Sequence, residues 1–178
     1  MIISVSEVKE LIDFKDWADA KIERKLRAIE MTIRGYTNNN FQDIDYRRTA
    51  DIVGGSAYVE ALAPFDVGDT VQISETKLNK GLFVITEVDD VYFKTDKALK
   101  DENEVLVTKV HYPDDVIDCA INMIEWELEG KEKSLKGIQS ETLSRHSVTY
   151  AQQNDSNTES GYPTSIMSAL EPYMKARF

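Results

Sequence analysis

The sequence predicts an α+β protein: a helical-bundle body carrying an inserted small antiparallel β-sheet or barrel domain. Three observations lead there. Apolar residues recur near both ends at spacings of four, three and four, in Ile22, Leu26, Ile29 and Ile33 and again in Ile117, Ile121, Ile124 and Leu128. Such spacing places each set on one helical face. Between them, from about Ala50 to Tyr112, the period falls to two in the runs "TVQIS" (70 to 74), "LFVIT" (82 to 86), "VYFKT" (91 to 95) and "EVLVTKV" (104 to 110), all rich in β-branched and aromatic residues. The predicted boundaries are a helical body over residues 1–49 and 111–178 and a β-rich insertion over 50–110.

Element by element, Ser4 and Glu7 have the spacing of a capping box, in which the serine oxygen takes an orphan amide and the glutamate returns to the cap. Val5, Val8, Leu11 and Ile12 then form the apolar face of a short first helix. Asp16 is the expected cap of the second helix, whose charged face carries Lys21, Glu23, Arg24, Lys25, Arg27 and Glu30. Gly35 and "TNNNF" are expected to end it, since glycine and asparagine tolerate left-handed backbone. Within the β-rich stretch, "AYVEAL" (57 to 62) is a candidate fifth strand, and "VGD" (67 to 69) and "NKG" (79 to 81) are the most legible turns. Pro113 suits a first helical turn, with Asp114 and Asp115 against the positive end of the dipole. Gly130 is the expected stop of this third helix, which should pack on the second. "KGIQSETLSRHSVTY" (136 to 150) reads as neither helix nor ordinary linker, "QQNDSNTESG" (152 to 161) as a polar loop, and "TSIMSALEPYM" as a last helix burying Ile166, Ala169 and Leu170 and limited by Pro172.

With 178 residues and 42% hydrophobic content the chain can supply a core without staples. Its single cysteine, Cys119, has no internal disulfide partner, the apolar runs are shorter than a bilayer span, and "MIISVSEVKE" lacks a basic start and long apolar stretch. The expectation is a soluble protein made in a reducing cytosol. A formal charge of -11, spread along the chain, opposes tight binding to phosphate backbones.

Catalytic chemistry is not legible. "DDVID" matches an aspartate-rich magnesium pattern through Asp114, Asp115 and Asp118, but carboxylates at a helix start complement the dipole. His111 and His146 lack a second histidine or cysteine at metal-ligand spacing, and Cys119 among Ile117, Ala120 and Ile121 reads as a core thiol. Neither a phosphate-binding glycine loop nor a G-x-S-x-G elbow occurs. No enzyme, metal or cofactor is expected. Tyr92 and Phe93 could stack bases on a barrel face, but neighbours on a strand point to opposite sides, so core packing is favoured.

Three stretches carry a family resemblance: the opening helices running into "IRGYTNNNF" (33 to 41), the central "VGDTVQIS" and "NKGLFVITEV" (67 to 88), and "GIQSETLSRHSVTYA" (137 to 151) followed by "GYPTSIMSALEPYMKARF" (161 to 178). Together they resemble the head-tail connector, or adaptor, proteins of long-tailed bacteriophages, which form a ring beneath the portal. Gly137, Ile138, Ser140, Glu141, Ser147, Val148 and Tyr150 match the family's helix, Gly-Ile-x-Ser-Glu, strand-ending-in-tyrosine pattern, and Pro163, Ile166, Leu170, Tyr173, Lys175 and Arg177 match its closing helix and basic tail. Many adaptors lack so large a β insertion.

The resemblance implies a structural virion protein at the head-tail interface, assembled in the host cytoplasm. It implies a ring of this chain, commonly dodecameric, between the portal and a stopper or tail-completion protein, through which double-stranded DNA passes without specific binding; no membrane is involved. The residues expected at the portal or neighbour interface are Ser140, Glu141, Arg145, His146, Val148, Tyr150, Tyr162, Tyr173, Arg177 and Phe178, because the 137–151 excursion can present an edge to another chain and aromatics favour interface cores. The competing reading is a non-enzymatic binding module whose β insertion recognises a ligand or nucleic acid.

Overall fold

A computed structural model describes residues 1–59, 65–134, 140–143, 146–149 and 158–176. The chain divides into two compact units. One comprises Met1 and Asn40–Tyr112, the other Ile2–Asn39 and Pro113–Phe178.

The first unit is a closed antiparallel barrel of six strands among the described residues: β1 (Gln42–Val53), β2 (Ser56–Val59), β3 (Thr70–Ser74), β4 (Gly81–Val88), β5 (Tyr92–Thr95) and β6 (Glu102–Val110). The order is β1-β2-β5-β4-β3-β6, and β6 closes on β1 through pairs such as Thr49 with Leu106 and Ala50 with Val105. Closure leaves no open edge, which removes the aggregation hazard of a free strand. β1 and β2 join through Gly54 and Gly55, at φ 60 and 82, the positive values a two-residue hairpin with the right twist requires.

The inward faces supply the barrel core. Ile52, Ala57, Val71, Ile73, Phe93, Val105 and Val107 are each fully buried, and Phe65 meets Phe93 with ring centroids 5.7 Å apart. A polar node ties the loop before β4 to the start of β6. The Glu102 carboxylate accepts from the Lys77 amide at 2.7 Å, the Leu78 amide at 3.2 Å, Asn79 Nδ2 at 3.0 Å and the Thr76 hydroxyl. The Asn79 side chain bonds the Lys100 backbone at both ends, its Nδ2 donating and its Oδ1 accepting, each at 2.8 Å.

In the second unit, α1 (Val5–Leu11) starts at Ser4 with both halves of the capping box present. α2 (Asp19–Thr37) buries Ile22, Leu26, Ile29 and Ile33, and packs on α3 (Asp114–Ser134). A two-stranded sheet, β7 (Ser140–Leu143) with β8 (His146–Thr149), follows α3. A two-residue ladder, β9 (Thr158–Glu159) with β10 (Tyr162–Pro163), then leads into α4 (Thr164–Met167) and a 3-10 turn over Ser168–Tyr173.

The expectation of a helical-bundle body with a small inserted sheet is overturned: the dominant architecture is the closed six-stranded barrel, accompanied among the described residues by four α-helices that do not form a bundle. Two causes are visible. β1 begins at Gln42, so residues 42–49, assigned by sequence to the helical body, supply the strand that closes the barrel. The last helix shrinks to four α-helical residues before the 3-10 turn containing Pro172, where proline removes an amide donor. Smaller corrections follow the same logic. The α2 cap is Ala18, without a side-chain bond, rather than Asp16; Asn38, inside the expected "TNNNF" stop, ends the helix at φ 49, while Gly35 lies within it; and Glu30, placed on the solvated face, is buried. On α3 the buried set is Val116, Cys119, Ala120, Met123 and Ile124, while Ile117, Ile121 and Leu128 are only half-buried. Ala169 is exposed, and Met167 takes the buried place beside Leu170.

Candidate partner interface

The segment from β7 onward contains the residues marked for partner contact. Antiparallel register sets Ser140 opposite Thr149, Glu141 opposite Val148 and Leu143 opposite His146. Thus Ser140, Glu141, His146 and Val148 lie on one hairpin, whereas Arg145, Tyr150, Arg177 and Phe178 lie outside the described residues. Among the described residues neither β7 nor β8 has a third strand beside it.

Downstream, three tyrosine hydroxyls donate to carboxylates and tie the C-terminal segment to the helices of its own unit. Tyr36 of α2 donates to Glu159 at 2.6 Å, Tyr162 to Glu127 of α3 at 2.8 Å, and Tyr173 to Asp115 at 2.7 Å. Lys25 of α2 also pairs with Glu127. The bond to Glu159, with a smaller desolvation effect, pushes the Tyr36 hydroxyl up to about 12. Burial, then the bond to Glu127, raises Tyr162, and the bond to Asp115 raises Tyr173. Further hydrogen bonds reinforce the clasp: the Lys175 backbone amide donates to Thr37 O at 2.8 Å, and the side-chain Nδ2 groups of Asn38 and Asn39 donate to Ala176 O and Tyr173 O at 3.1 and 3.2 Å.

Tyr162 is therefore buried within its own unit, and Tyr173 is half-buried with its hydroxyl bonded to α3. Periodicity gave no signal for Tyr36, Glu127 or Glu159, since the pairs are set by distant segments meeting. Cys119 is buried, its thiol directed at Ile166 O at 3.4 Å, and burial with the Asp115 charge lifts its pKa to about 11. Asp115 is engaged with Tyr173, and His111 is exposed with its backbone amide bonded to Phe41 O. Among the described residues no three His, Cys, Asp or Glu side chains converge to hold a metal ion, and no helix is long and apolar enough to cross a membrane.

The same unit holds a groove of about 770 Å³ lined by Leu11, Phe14, Trp17, Lys21, Glu125 and Leu128 among others. Leu11 is 63% exposed at this groove, and the Lys21 ammonium stands 3.6 Å from the Trp17 ring centre. On the barrel, the Tyr92 and Phe93 pair divides as strand parity requires: Phe93 is 0% exposed, and Tyr92 faces outward. No protein-family model matches the chain, and no curated protein matches it.

Proposed function

We propose that the protein is a non-enzymatic structural subunit of a bacteriophage virion, a head-tail connector whose copies form a ring between the portal and a stopper or tail-completion protein. The observation that carries the reading is the β7–β8 hairpin. It forms a two-stranded sheet of its own with no third strand among the described residues, and two strands alone are marginal in water. A strand from the portal or a neighbouring copy would complete it by β-augmentation.

A ring also needs a second, different patch on each subunit. The groove beside Leu11 and Trp17, which mixes apolar side chains with the charged Asp13, Lys15, Asp16, Lys21 and Glu125, supplies a candidate. The charge of -11 suits a conduit, because an acidic lining disfavours adhesion of passing double-stranded DNA.

The test is assembly with the cognate portal, followed by light-scattering mass measurement and imaging of the complex. A chain with residues 140–149 replaced by a Gly-Ser linker should lose the complex while keeping its circular dichroism. Leu11→Glu should weaken ring closure. Failure of the unaltered chain to join the portal at micromolar concentration refutes the proposal.

A further inference from the structure

The barrel carries an outward-facing aromatic pair, one ring exposed and one half-buried, that the assembly reading leaves unused. Tyr58 of β2 and Tyr92 of β5 are direct register partners, with ring centroids 5.6 Å apart and planes at 47°. Tyr58 is 43% exposed, and Val91 beside the pair is also exposed. The rim is acidic. Asp51 sits opposite Tyr58 across the β1–β2 pair, Glu87 accepts from the Tyr92 hydroxyl at 3.1 Å, and Asp89 and Asp90 form the exposed turn before β5. Among the described residues Lys94 is the cation at this rim, 2.9 Å from Glu87 and 5.7 Å from the Tyr92 ring centre.

Aromatic faces attract cations through their quadrupole, and carboxylates beside them add a bidentate acceptor for a planar guanidinium. Lys94 already shows the arrangement within the chain, with its ammonium shared between a ring and a carboxylate. The same rim repels phosphate, which disfavours nucleic acid as the occupant. We propose that the Tyr58–Tyr92 face binds an arginine side chain displayed on an extended basic segment of a protein partner. The guanidinium stacks on the open Tyr58 ring and bonds to the carboxylates of the rim. Arginine is selected over lysine because its planar group stacks and is more weakly hydrated. The inference does not rest on the connector reading, since it uses only residues of the barrel itself.

The test uses the full chain and fluorescent hexa-arginine and hexa-lysine peptides, with anisotropy titrations at low salt, about 50 mM, where screening is weak. The arginine peptide should bind more tightly. Tyr58→Leu and Tyr92→Leu should each weaken it about two- to fivefold and narrow the preference over lysine, as expected for an exposed cation–π contact. Tyr58→Phe with Tyr92→Phe, which keeps the rings, should retain the preference. Asp89→Asn with Asp90→Asn should weaken both peptides, whereas removing the same number of charges at Asp114 and Asp118 should not. Equal affinity for the two peptides, indifference to the leucine replacements, or absence of binding overturns the proposal.

Discussion

Replacing Phe93 with alanine probes the closed barrel at its centre. The side chain is 0% exposed, lies between Ala57 and Val88 in the ladder, and meets the Phe65 ring at 5.7 Å. Removing a buried phenylalanine costs about 3–5 kcal/mol, because the lost transfer free energy is joined by that of the unfilled cavity. The tilted pair with Phe65 contributes about 0.5–1.5 kcal/mol beyond area, which places the expectation near the upper half, about 4 kcal/mol. In urea, with a slope of about 2 kcal/mol per molar, the midpoint should fall by about 2 M at unchanged slope. The assay is equilibrium unfolding by circular dichroism, with Val67→Ala as the companion. Val67 is 64% exposed, so its truncation should stay within about 0.5 kcal/mol. A loss below about 1 kcal/mol for Phe93→Ala would show that the ring does not fill an enclosed core, and the closure of β6 on β1 would have to be abandoned.

Three further outcomes follow from the hydrogen bonds. Glu102 accepts four donors, led by the Lys77 amide, and its folded pKa lies below the ordinary 4.5. Its stabilisation is thus present above that value and is lost as pH falls through the depressed one; Glu102→Gln should lower stability at neutral pH and flatten the acid limb of the unfolding profile. Tyr36 has the opposite sign: its pKa rises from 10.0 to about 12, so the clasp to Glu159 is intact below pH 10 and fails as pH climbs toward 12, and Tyr36→Phe should remove that alkaline loss when melting is followed against pH. Cys119, buried and lifted to about 11, should react with a thiol reagent at neutral pH only as fast as the helical unit opens, and rapid labelling of the native chain would contradict its placement.

Local chemistry was well written in the sequence. The capping box needs only Ser4 and Glu7, three residues apart, and β3 at Thr70–Ser74 appears where period two placed it. The division between Tyr92 and Phe93 follows from strand parity alone. β1 was hidden because in "QDIDYRRTADIV" only Ala50 and Ile52 are buried, and a bulge between Gln42 and Arg47 breaks its alternation against β6. The α3 stripe was misaimed for a related reason: Val116, Cys119 and Met123 compete with Ile117 and Ile121 for the inward side, and hydrophobicity alone does not rank them.

For the candidate interface, the sequence stopped the third helix at Gly130 and placed an excursion over 137–151; the helix runs on to Ser134, and Ser140–Leu143 pairs with His146–Thr149 as a hairpin. It could not separate an outward tyrosine from one held inside. Tyr162 meets Glu127 across 35 residues, and Tyr36 meets Glu159 across 123; no short window contains such a pair.

What the sequence determined by itself was those elements with a local cause: the Ser4–Glu7 cap, the turn at Gly68 and the alternation of β3. What only the tertiary structure decided was closure and clasping, the joining of β6 to β1 and the tying of the C-terminal segment to α2 and α3. The physical reason is range. Backbone preference and periodicity act over a few residues, whereas a barrel seam or a buried tyrosine–carboxylate bond depends on partners that become neighbours only after the chain has folded.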